Sequence, residues 1–251
     1  MRNYLLVALM GFVITSCIAQ DGKKVLIDGK EVPIFDTKSE FFHDSIRKRL
    51  VAFDTTLSPK YFLAYTHYVQ LLAPFNPSDL DLMAKKIYKL NEDKKYRDAV
   101  AKCRELLAIS PNNITAFKEM GFAFKRLGKQ DTVQICFTLM VKAIEGAKLS
   151  GDGDIKSPYV LNNSFELTSL IEATTGLYVD KSPVIKDSKG RILVLGIVQS
   201  PRMGRFALIN HWSKYLKEGE FVAEEDLDKQ EEENEKIMKE EIERFQKELN
   251  D

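Results

Sequence analysis

Apolar positions along this chain fall into three regimes. A nearly continuous run opens it, a long stretch of helical spacing follows, and short strand-like runs come next, ahead of a charged tail. The opening run spans Tyr4 to Ile14 and is broken only by Gly11. Near it, Val25-Leu26-Ile27 and Val32-Pro33-Ile34 flank Asp28-Gly29. That is a hairpin signal, because both turn residues must take positive φ; the alternative is an extended tether that pairs only when docked. From Ser39 to about Leu149, apolar residues recur at helical intervals. Phe41, Ile46, Leu50 and Phe53 mark the first helix, and Asp54-Thr55-Thr56-Leu57 breaks it. Ser58-Pro59 restarts one, with a hydroxyl cap before proline at the first helical position. This helix carries Phe62, Tyr65, Tyr68, Val69 and Leu72 and stops at Pro74-Phe75-Asn76-Pro77. Ser78 then caps a helix with Leu80, Met83, Ile87 and Leu90 on one stripe.

The next segment resembles a tetratricopeptide unit in its spacing. Tyr96, Ala99, Cys103, Leu106 and Pro111 match a second helix, and Phe117, Met120, Gly121, Phe124 and Gly128 match the first helix of a following unit, with Phe137 further on. Small residues let two helices approach, aromatics fill the gaps, and Gly128 closes its helix. About one and a half units are present, whereas a free-standing solenoid needs at least about three. These helices are therefore predicted to pack on those between Ser39 and Leu72.

Ser150-Gly151-Asp152-Gly153-Asp154 is a hard break. Ser157 to Leu161 reads as a strand. A short helix follows, opened by a reciprocal cap between Asn163 and Glu166 and closed by Gly176. Val184-Ile185, Arg191 to Val198 and Arg205 to Asn210 read as strands, the last two as an antiparallel pair. The predicted class is α+β: a helical layer with tetratricopeptide-like pairs, a small antiparallel sheet with a helix, and a C-terminal acidic helix. The corresponding divisions are a signal at 1–16, a tether with a possible hairpin at 17–38, helices at 39–149, a small α/β region at 150–220 and an acidic tail at 221–251.

The opening run is shorter than the about 20 residues a membrane span requires, and it fits a secretory signal. Ile14-Thr15-Ser16-Cys17 has the form of a lipoprotein cleavage box, which predicts export and a membrane anchor through lipid on Cys17. Cleavage after Ala19 would instead release a soluble chain.

The 37 basic and 37 acidic side chains cancel, which argues against a nucleic-acid partner. From Glu224 onward, however, 13 acidic and 5 basic residues make a tail with seven-residue periodicity in Met238, Ile242, Phe245 and Leu249. This is either a solvated helix or a short seam for a coiled-coil partner. Beyond Cys17, Cys103 and Cys136 read as small buried thiols, with a disulfide as the alternative.

Catalytic and metal motifs are weak. His43, His67 and His211 lack zinc-site spacing, and Asp152-Gly153-Asp154 lacks the remaining ligands of a calcium loop and reads as a turn. No cofactor or metal is predicted, and no catalytic residue can be singled out. Tyr61, Tyr65, Tyr68 and Phe75 form an aromatic group that reads either as core or as a binding surface.

Asp54-Thr55-Thr56-Leu57, the aromatic helix around Tyr61, Tyr65 and Tyr68, Pro74-Phe75-Asn76-Pro77, the tetratricopeptide-like pair and Ser150-Gly151-Asp152-Gly153 occur in an order that resembles a bacterial family known only as domain of unknown function 4919. The resemblance covers roughly Phe41 to Asn210. It implies an exported protein and assigns no activity. The function expected is that of an envelope lipoprotein binding a protein or a cell-envelope polymer. The alternative is an envelope hydrolase with its pocket between the helices and the sheet.

Overall fold

The computed structural model describes residues 24–72, 77–186, 191–198, 206–209 and 222–223. The fold is α+β. Cys17, Phe75, His211 and the acidic C-terminal helix lie outside the described residues. Strands β1 (Lys24–Ile27) and β2 (Lys30–Pro33) form the hairpin expected around Asp28-Gly29, with φ of 54° and 70° at the two turn residues. It is more than a tether. Val25, Ile27, Ile34 and Phe35 are buried in the same core as the helices, because alternate β1 side chains face α2.

Among the described residues seven helices follow: α1 (His43–Val51), α2 (Pro59–Leu72), α3 (Pro77–Glu92), α4 (Tyr96–Ile109), α5 (Ile114–Arg126), α6 (Gln130–Lys148) and, after the break, α7 (Ser164–Thr175). Neighbours α3 to α6 pack successively, and α2 closes the row against α6, as the missing solenoid partners required. Small residues permit both close crossings. A Cβ on Gly121 would meet the Phe137 ring at 3.0 Å, and one on Gly146 would meet the Pro59 carbonyl oxygen at 2.8 Å. Ser78 lies inside the first turn of α3 and not ahead of it, since the helix begins at Pro77.

Helix ends share one device. At α5, Gly128 (φ 72°) donates its N–H to the Lys125 carbonyl and Lys129 donates to Phe124, a Schellman closure. The same bonds end α3 with Lys94 at φ 61° and α1 with Phe53 at φ 56°.

The sheet has the order β3 (Tyr159–Val160), β7 (Phe206–Ile209), β6 (Ile192–Val198), β5 (Val184–Lys186), β8 (Val222–Ala223), and β4 (Val179–Lys181) also pairs with β6. Its β5–β6–β7 centre is antiparallel as expected, whereas β3 and β8 add in parallel at the two edges. Helix α7 lies on β6 so closely that a Cβ on Gly196 would meet Ile171 Cδ1 at 2.6 Å. The main core runs from the hairpin through the helices to Leu167, Ile171 and Val194, so it crosses the break at Ser150, while Ile185, Leu193 and Leu195 form a second, smaller cluster within the sheet region. No helix among the described residues is long and apolar enough to cross a membrane.

Candidate functional site

Helix α7 is pinned to the helical layer by a buried polar junction, and that pinning shapes the site. Glu166, 1% exposed, accepts from the backbone N–H of Ile114 at 2.8 Å and of Asn162 at 2.7 Å. It thereby satisfies one orphan N–H at the start of α5 and one just ahead of α7. The predicted reciprocal cap is displaced: Asn163 makes no capping bond to α7, and Asp81 of α3 accepts from the Phe165 N–H at 2.8 Å instead. Asn163 is engaged with Asp81 at 2.7 Å and Asn113 at 3.0 Å, and Ser169 donates to Thr115 at 2.8 Å. Burial pushes the Glu166 carboxyl up to about 7 against the lowering pull of its N–H donors, and burial raises Asp81 as well.

Held this way, the end of α7 faces α3, α5 and α6 across a cleft of about 590 Å³. Helical spacing explains its walls. Tyr88, Asn91 and Glu92 share the last turns of α3, Lys118, Glu119 and Phe122 share one side of α5, and Phe137 and Met140 share one side of α6. Glu172 and Tyr178 close the far side.

The chemistry centres on Lys118. Its ammonium lies 3.1 Å from Glu119 Oε1, bridges to Glu172, and stands 5.3 Å from the centre of the Tyr88 ring. Asn91 Nδ2 donates to Glu119 Oε2 at 2.8 Å and to the Glu119 carbonyl at 3.1 Å. Both partners are acceptors, which fixes the orientation of the amide and leaves Asn91 Oδ1 buried with no partner among the described residues. The Tyr88 hydroxyl is held well above its usual range by burial and then by the charges of Glu172 and Glu119.

The aromatic group singled out from sequence sits elsewhere. Tyr65 is buried, and burial pushes its hydroxyl up to about 12. Tyr68 stacks on His43 at 4.0 Å. Tyr61 donates to Glu40 at 2.7 Å and lies beneath Arg49. These rings bind α1 and the segment after β2 to α2. Asp54 accepts from Thr56 and Arg49, which hold its carboxyl down at about 2 and fasten the turn between α1 and α2. Cys103 and Cys136 are buried free thiols, and burial raises both. Asp152 accepts from the Asp154 N–H within a turn closed on the Ser157 carbonyl. No group of three or more potential ligands converges on a metal position among the described residues.

The cleft residues escaped the sequence reading, although one signal was present. Leu80, Ala84, Ile87 and Asn91 form the buried stripe of α3, so Asn91 is a polar residue on an apolar face. Compared with protein-family models, with curated proteins and with solved structures, the chain has no match.

Proposed function

We propose that the chain is an exported envelope lipoprotein, anchored through lipid on Cys17, that binds a protein or cell-envelope polymer in the cleft between α3, α5, α6 and α7. The observation that carries the binding role is the cleft itself. It has the size of an ordinary ligand site and aromatic walls around a few placed polar groups. Its two innermost carboxylates are both engaged by one ammonium, so Lys118 occupies the positions through which an acid and a base would work. That supports recognition over the hydrolase alternative.

The anchor is tested by fractionating cells that express the full chain or Cys17→Ser and weighing the mature amino terminus. Loss of the acylated terminus and of membrane association is expected in the variant; unchanged association refutes the anchor. The cleft is tested with a photo-crosslinking residue at Phe122 on its rim or at Leu82, which is 65% exposed on α3. Adducts from position 122 alone are expected. Adducts from Leu82 alone, or equally from both, contradict the assignment.

A further inference from the structure

We infer that the ligand of this cleft is a polypeptide segment presenting a lysine or arginine side chain, whose cationic head enters the place now held by Lys118. The inference rests on the cleft being the binding site and adds the chemistry of what it takes. Three observations carry it.

The first is the balance of charge. Glu92, Glu119 and Glu172 line the cleft, and Lys118 is the only basic side chain lining it among the described residues. Even with the Arg126 guanidinium over Phe122 at 5.1 Å, carboxylates outnumber cations. An anion would meet a wall on which carboxylates are in excess.

The second is that the cleft already shows how it receives an ammonium. Lys118 lies between two carboxylates and over the Tyr88 ring, with its apolar stem along the wall. An aromatic face with flanking carboxylates recognises a cation on an apolar stem. Tyr178 at the mouth, 71% exposed, offers a second ring to an incoming chain.

The third is Asn91, which lines the cleft and holds Glu119 in place through two hydrogen bonds. Asn91 thereby fixes the carboxylate that receives the cation.

Lys118 is thus an internal counter-ion that a ligand must displace, which makes a sharp test. The probe is a fluorescent Gly-Phe-Lys-Phe-Gly peptide, blocked at both ends, titrated into the full chain in detergent and followed by anisotropy. The same peptide with acetyl-lysine or glutamate serves as comparison. The lysine peptide is expected to bind at least tenfold more tightly than either. Lys118→Met is expected to tighten it at least threefold, and Tyr178→Ala, at an exposed position, to weaken it at least fivefold. If Lys118→Met does not fold, Glu172→Gln carries the test: it weakens the lysine peptide about tenfold and leaves the acetyl-lysine peptide unchanged. Equal binding of all three peptides that is still weakened by Tyr178→Ala overturns the cationic ligand and keeps the cleft. Lysine-peptide binding indifferent to Tyr178→Ala overturns the cleft. Weaker binding in Lys118→Met, or no binding of any peptide, overturns the inference.

Discussion

Replacing Glu166 by glutamine should change how the stability of this protein depends on pH. In the folded chain, burial raises the carboxyl from an ordinary 4.5 to about 7, so the native state holds its proton more tightly than the unfolded state. Between these values the native state carries the extra proton, and stability falls as pH rises. The contribution is fully present below about 4.5 and is lost as pH rises through 7. The interval corresponds to about 3 kcal/mol. Glutamine has no charge to lose. It keeps one acceptor for the N–H of Ile114 or Asn162 and turns an amide N–H toward the other, a cost of about 1–3 kcal/mol that does not vary with pH. Urea denaturation of wild type and Glu166→Gln, followed by circular dichroism from about pH 5 to pH 8, should show the wild-type advantage shrinking by about 2–3 kcal/mol. A difference that stays constant across the range would refute the reasoning and mean that the two backbone donors outweigh burial.

Three further outcomes are expected from the packing. Gly146→Ala should destabilise the fold by about 1–3 kcal/mol despite alanine's better helix propensity, because its Cβ would press on the Pro59 carbonyl oxygen at 2.8 Å and drive α6 from α2; urea midpoints equal to or above wild type would contradict this. Lys94→Gly should stabilise by about 1 kcal/mol, since Lys94 ends α3 at φ 61°, and a lower melting temperature would show the turn is not strained. Asn113→Ala removes the cap on the Ala116 N–H and the bond to Asn163, and denaturation should register a loss of about 1–2 kcal/mol.

What could be read from the chain was local. Asp28-Gly29, Gly128 and Gly176 announce their turns because only some residues take positive φ cheaply, and the spacing of α4 to α6 announces helices that pack closely. Phe53 and Lys94 make the same closure as Gly128, yet carry no glycine to reveal it. Periodicity placed Tyr61, Tyr65 and Tyr68 on related faces of α2 but carried no information on what covers them; α1 and the segment after β2 do. The strand within Ser157 to Leu161 was legible, but its parallel pairing with β7 and the edge strand β8 were not, because those partners come from far along the chain. The cleft was illegible for the same reason: Asn91 and Glu119 are 28 residues apart, and Lys118 and Glu172 are 54 apart. Glu166 was recognised as a helix-start residue, but its second partner, the Ile114 N–H, lies 52 residues away.

The most direct measurement is amide chemical-shift mapping of the isotopically labelled full chain on addition of the lysine peptide. The account predicts perturbations concentrated at Tyr88, Asn91, Lys118, Glu119, Glu172 and Tyr178. Perturbations centred instead on Tyr61 and Tyr68, at the seam between α1 and α2, would contradict it.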